Sequence, residues 1–72
     1  SEYKNAEKYF LDYTRDFPST NYYDESLFYL GCIYYFDQQE DKARQALEKL
    51  REVVPDSGYL TSKMAITLLG AQ

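Results

Sequence analysis

Leu27-Phe28-Tyr29-Leu30-Gly31-Cys32-Ile33-Tyr34, then Ala43-Arg44-Gln45-Ala46-Leu47, then Pro55 are the residues from which the architecture follows. Between Asp24 and Phe36, Leu27, Leu30 and Tyr34 recur at helical spacing and predict a helix with one strongly apolar face. Gly31 lies inside it. A glycine in a helix costs about 1 kcal/mol against alanine, so the position calls for a packing reason. The expected one is a neighbouring helix so close that a Cβ would clash. Asp37-Gln38-Gln39 interrupts the apolar pattern and reads as a turn. From Glu40 to Val54, Ala43, Leu47, Leu50 and Val54 form a single stripe, while Lys42, Arg44, Gln45, Glu48, Lys49, Arg51 and Glu52 cover the solvent side. Pro55 ends this helix, because it disfavours helical geometry at Val54 and has no N–H to donate. Two helices and a short turn make an antiparallel αα-hairpin.

The pattern recurs on both sides of the hairpin. A shift of 37 residues carries Ala6 onto Ala43, Phe10 onto Leu47, Tyr13 onto Leu50, Phe17 onto Val54 and Pro18 onto Pro55. The same shift carries Thr20 onto Ser57 and Tyr22 onto Tyr59. Ser1 to Phe17 therefore reads as a helix equivalent to Glu40–Val54, followed by a turn with Ser19, Thr20 and Asn21 as helix caps. Downstream, Ala65-Ile66-Thr67-Leu68-Leu69-Gly70 echoes Ser26-Leu27-Phe28-Tyr29-Leu30-Gly31 at an offset of 39 residues, within a last helix expected from about Tyr59. Self-similarity at such a period is the signature of a repeat array.

The spacing Leu27-x-x-Leu30-Gly31-x-x-Tyr34, Ala43-x-x-x-Leu47, Pro55 resembles the tetratricopeptide repeat (TPR) family, with Leu27 in the place of the usual Trp and Leu47 in that of Phe. The resemblance covers Asp24 to Ser57. It implies an all-α fold, a right-handed superhelical fragment of four antiparallel helices in one domain over residues 1–72. Residues 1–18 would be the second helix of a preceding repeat, 24–57 one full repeat, and 59–72 the first helix of a following repeat. The expected core is Ala6, Phe10, Tyr13, Phe17, Leu27, Leu30, Gly31, Tyr34, Ala43, Leu47, Leu50, Val54, Ala65 and Leu69. Gln38 departs from the pattern where Gly or Asn is usual in the turn, and Glu40 where Tyr is frequent. The turn signatures Phe17-Pro18-Ser19-Thr20-x-Tyr22 and Val54-Pro55-Asp56-Ser57-x-Tyr59 resemble those of bacterial cell-envelope TPR proteins, among them the outer-membrane-assembly lipoprotein and the periplasmic Tol–Pal-associated coordinator. That resemblance implies a bacterial periplasm or cell envelope, with the cytoplasm as the alternative.

Composition narrows the function. The chain has 72 residues, one cysteine, no histidine and a net charge of −4, with nine tyrosines and four phenylalanines. A core of this size is marginal without help, and one cysteine cannot form an internal disulfide. Without histidine, a Cys–His or Ser–His pair is impossible, and no metal-ligand set is present. The basic residues are scattered among acids, which argues against a nucleic-acid surface. No apolar run approaches the roughly 18 residues of a membrane span. The chain begins at Ser1 without Met and reads as a piece of a longer protein. Asp24-Glu25 and Glu40-Asp41 are expected to favour helix dipoles, not to act as acid–base pairs. Cys32 has no basic neighbour in sequence to lower its pKa and reads as a small buried residue.

These readings point to a non-catalytic module for protein–protein interaction, without cofactor or metal, that binds a partner protein or peptide segment. The resemblance places the binding surface on the concave side, lined by Glu25, Phe28, Tyr29, Cys32, Tyr35 and Phe36, then Met64, Thr67, Leu68 and Ala71. Where peptide-clamping relatives carry Lys and Asn to grip a C-terminal carboxylate, this chain has Phe28 and Cys32, so that clamp is absent. The aromatic face is read either as a peptide groove or as a surface covered by adjoining repeats. The alternatives to a binding role are a structural spacer, with self-assembly into a homo-oligomer through exposed helix faces, and an accessory module of a larger enzyme.

Overall fold

The computed structural model describes residues 2–16 and 23–70. Among these, four α-helices follow one another: α1 Glu2–Asp16, α2 Tyr23–Phe36, α3 Glu40–Val53 and α4 Lys63–Leu69, with a 3-10 turn at Gly58–Thr61 before α4. No strand occurs among the described residues. The chain is an all-α, TPR-like stack of helical hairpins. The proposed caps Ser19, Thr20 and Asn21, the core position Phe17 and the site position Ala71 lie outside the described residues.

α2 is sandwiched between α1 and α3, and α4 packs on α3. This arrangement follows from composition. α2 is apolar nearly all round, and such a helix has to be covered on more than one side. Leu27, Leu30, Gly31 and Tyr34 turn toward α3, whose Ala43, Leu47 and Leu50 are fully enclosed. Tyr23, Ala46 and Leu68 complete the core, which the stripe through Ala43, Leu47 and Leu50 does not reveal. Ala46 lies one residue off that stripe and is buried in the same cluster. Ala6, Phe10, Tyr13 and Val54, expected in the core, are half-buried.

Gly31 is buried against α3, as expected. However, a Cβ there would lie 3.4 Å from Cγ and Cδ2 of Leu47 and 3.7 Å from the Ala43 carbonyl oxygen. That is contact, not the expected clash. The glycine makes room for a close helix pair but does not exclude one more carbon.

The α2–α3 turn closes with two bonds. The Gln39 N–H donates to the Tyr34 carbonyl at 2.8 Å, and the Gln38 N–H to the Tyr35 carbonyl at 3.1 Å. This is a Schellman closure, with Gln38 in the left-handed region at φ 61°. Glutamine thus occupies a conformation that normally selects glycine.

The last helix begins at Lys63 and not near Tyr59. Ser57 starts a 3-10 turn in which the Leu60 N–H reaches the Ser57 carbonyl at 3.1 Å, and the Ser62 N–H reaches that of Tyr59 at 3.1 Å. Ser62 is then extended (ψ 154°), and its hydroxyl accepts from the Ala65 N–H at 3.2 Å. That serine cap sets the true start of α4.

Leu68, not Leu69, is the buried leucine of α4. The echo of α2 in α4 explains this. Leu69 matches Leu30, which faces the second helix of its own hairpin, whereas Leu68 matches Tyr29, which faces the helix before. Here α4 packs on α3, the helix before it, so Ala65 and Leu68 are covered and Ile66 is 46% exposed. Arg44 fastens this contact by donating from Nε to the Leu68 carbonyl at 3.1 Å, and its Nη1 lies 3.1 Å from Asp41. A guanidinium is well suited to the open carbonyls at a helix C-terminus.

Candidate functional site

Of the ten residues expected on one surface, seven fall into three groups. Glu25, Phe28 and Tyr29 join an aromatic row that runs from α1 across α2 to the 3-10 turn. Tyr9 and Phe10 meet edge-on at 5.2 Å between ring centroids. Phe10 meets Tyr29 at 6.0 Å, and Tyr29 meets Phe28 at 6.2 Å. Phe28 then stacks on Tyr59 at 4.7 Å, with the two planes 22° apart. Edge-to-face and offset contacts at such distances contribute about 0.5–1.5 kcal/mol each beyond area burial.

Tyr35 and Phe36 form a second group, one edge-on pair at 5.9 Å at the C-terminal end of α2. Phe36 is 67% exposed. Tyr35 borders a shallow depression with Gln38 to Lys42 at the α2–α3 turn. Met64 and Leu68 form the third group and pack against the core on α3. Leu68 is therefore core, not exposed surface. Thr67 is exposed on α4, and Cys32 is half-buried on α2.

Sequence reasoning missed the contribution of α1 and of Tyr59. Tyr59 covers Phe28, so part of the surface expected to be open is occupied by the chain itself. The repetition of a tyrosine after each Pro-x-Ser/Thr turn was the signal that could have found it. Its position is fixed by Ser57, whose buried hydroxyl donates to Asp24 Oδ2 at 3.0 Å and accepts from the Tyr59 N–H at 3.3 Å. One serine thus ties the start of α2 to the turn after α3. Tyr9 was legible as a large aromatic residue off the α1 stripe, at the position that Ala46 holds in α3.

Between α1 and α2 the row leaves a cleft of about 300 Å³, lined by Tyr9, Phe10, Tyr13, Glu25, Ser26 and Tyr29. A recess of about 270 Å³ adjoins it, lined by Tyr9, Asp12, Tyr13 and Asp16. Tyr9 is 65% and Tyr29 42% exposed, so rings stand open on both walls of the cleft.

Among the described residues, burial is the first cause of the shifts at Tyr34, Tyr59 and Cys32. Burial pushes the Tyr34 hydroxyl up to about 12, helped by its hydrogen bond to the Glu7 carboxylate and by that carboxylate's charge. Burial also raises Tyr59, with smaller contributions from Glu25, Tyr29 and Asp24. Burial alone raises Cys32, which keeps its thiol protonated near neutrality and unreactive. Among the described residues no group of three metal-ligating side chains occurs. No described helix is long and apolar enough to cross a membrane.

Residues 25–57 match the family model of the tetratricopeptide repeat. The matched segment runs through α2 and α3 and ends at Ser57, the serine that closes the hairpin back onto α2. Match and geometry together support a tetratricopeptide repeat over this segment. Repeats of this family generally mediate protein–protein interaction and are typically non-catalytic. No curated protein and no solved structure matches the chain.

Proposed function

We propose that this chain is a non-catalytic interaction module that docks a segment of a partner protein along the aromatic row of α1 and α2, as part of a TPR scaffold. The observation that carries the reading is the row itself. Solvent-exposed rings from two helices line one cleft, although burying them would stabilise the fold. Tyrosine suits such a surface because it supplies apolar area with a polar tip. Phe28, stacked under Tyr59, acts as the floor of the row and not as a free anchor.

The test is selection of peptides on the immobilised chain from a random library, followed by Tyr29→Ala and Tyr35→Ala variants. Both tyrosines are exposed enough that each variant should keep its helical circular dichroism. Selected peptides should lose binding to Tyr29→Ala. Failure to enrich any peptide, or binding that ignores Tyr29, would refute the docking role. A concentration-dependent rise in mass by light scattering would instead favour self-assembly through open faces such as that of Ile66.

For the setting we propose the bacterial cell envelope, on the strength of the Val54-Pro55-Asp56-Ser57-x-Tyr59 turn. Ser57 and Tyr59 have structural work in this fold, so the signature speaks for a way of closing the hairpin as much as for a compartment. Fractionation of the native host, with recovery only from the cytoplasm, would overturn the assignment.

A further inference from the structure

We infer that the cleft between α1 and α2 receives a cationic side chain, Arg or Lys, from a basic segment of the docked protein; this rests on the interaction role proposed above. The argument is charge complementarity joined to ring geometry. The cleft walls are Tyr9, Phe10 and Tyr13 on one side and Tyr29 on the other, with Glu25 at the edge. The adjoining recess adds Asp12 and Asp16 beside the same two tyrosines, Tyr9 and Tyr13. Among the described residues no lysine or arginine lines either space. Aromatic faces attract cations through their ring quadrupoles, and a carboxylate at the rim adds direct attraction.

The resident cations do not compete for the cleft. Lys8 is held by Asp12 at 2.7 Å, Arg15 by Asp16 at 2.8 Å and by Asp12 at 3.5 Å, and Lys4 lies 3.8 Å from Glu7. These pairs already neutralise Asp12 and Asp16 at the recess, which leaves Glu25 as the charge that attracts a cation. α2 carries Asp24 and Glu25 and no basic residue. The Asp24 carboxylate is engaged by Ser57, whereas Glu25 forms no ion pair with any described residue. The cleft thus combines exposed rings with a half-buried carboxylate that forms no ion pair among the described residues. A neutral apolar anchor would satisfy the rings but leave Glu25 beside a dry contact, which is unfavourable.

The test is an NMR titration of the isotope-labelled chain with N-acetyl-arginine methylamide, and in parallel with its neutral isostere N-acetyl-citrulline methylamide. The arginine probe should shift the rings of Tyr9, Tyr13 and Tyr29 and the Glu25 side chain saturably, about five-fold more tightly than citrulline. Glu25→Gln should remove most of that difference, and high salt should narrow it. Tyr29→Leu should weaken arginine while retaining helical circular dichroism, which separates loss of the ring from loss of the fold.

Equal binding of the two probes would overturn the cationic preference and leave the docking role standing. No shift at these rings, with selected peptides still dependent on Tyr29, would do the same. No shift together with failure of peptide selection would sink both. Broadening of the same resonances on concentrating the chain without probe would give the cleft to a second copy and overturn the inference.

Discussion

Replacing Gln38 by glycine should stabilise the chain. Gln38 sits at φ 61°, and among the described residues it is the one non-glycine with positive φ. The left-handed conformation costs an ordinary L-residue about 1–2 kcal/mol. Glycine escapes that cost but loses more backbone freedom on folding, about 0.5–1 kcal/mol. The Gln38 side chain is exposed, and it is the Gln38 N–H that closes the turn on Tyr35, so glycine keeps the hydrogen bond. The net gain is about 0.5–1 kcal/mol, which in a domain of this size raises Tm by roughly 2–8 °C. Thermal unfolding followed by far-UV circular dichroism, with urea unfolding in parallel, measures it. Asp37→Gly is the control. Asp37 does not have positive φ, and its carboxylate accepts from Gln39 Nε2 at 2.6 Å, so glycine there relieves nothing and removes a contact. A lower Tm for Gln38→Gly, or an equal rise in both variants, would refute the reasoning.

Further outcomes follow from the same contacts. Leu47→Ala, at a fully enclosed position, should cost about 2–5 kcal/mol, read from the urea midpoint. Gly31→Ala should be nearly neutral in the same assay, because the new methyl reaches only contact distance from Leu47 and helix propensity gains about 1 kcal/mol. Gly31→Leu should destabilise strongly by overpacking that seam. Ser57→Ala removes both the bond to Asp24 and the cap on Tyr59, and should cost about 1–2 kcal/mol in thermal unfolding. Tyr34 ionises at about 12 in the folded chain, above the ordinary tyrosine value. The fold therefore holds that proton more tightly than the unfolded chain does. Its contribution to stability is complete below about pH 10 and is lost as pH rises toward 12. Spectroscopic tyrosinate titration should show one group ionising late, and Glu7→Gln should bring it only part of the way down, because burial is the larger cause.

Much of this fold was legible without coordinates because helices announce themselves locally. The stripe Ala43, Leu47, Leu50 has one spacing that buries it, Pro55 cannot continue the helix that precedes it, and Gly31 among large residues marks a close pair. Those features settle the hairpin whatever surrounds it. The candidate site was only half legible. Glu25, Phe28 and Tyr29 lie on one helix and could be grouped by periodicity. Which of them stays open depends on groups distant in sequence: Tyr59 lies over Phe28, and Tyr9, Phe10 and Tyr13 of α1 supply the second wall of the cleft.

Local chemistry fixed the all-α character and the α2–α3 hairpin with its turn at Asp37–Gln39. Tertiary structure alone determined the burial of Leu68 over Leu69, the delay of α4 to Lys63, the left-handed Gln38, and the cleft between α1 and α2. The physical reason is that periodicity states which side of a helix is apolar, but not which neighbour covers it. α2 is apolar nearly all round, so its sequence admits several partners at once. Only packing assigns Leu30 to α3, Tyr34 to both Glu7 of α1 and Lys42 of α3, Tyr29 to α1 and Phe28 to Tyr59.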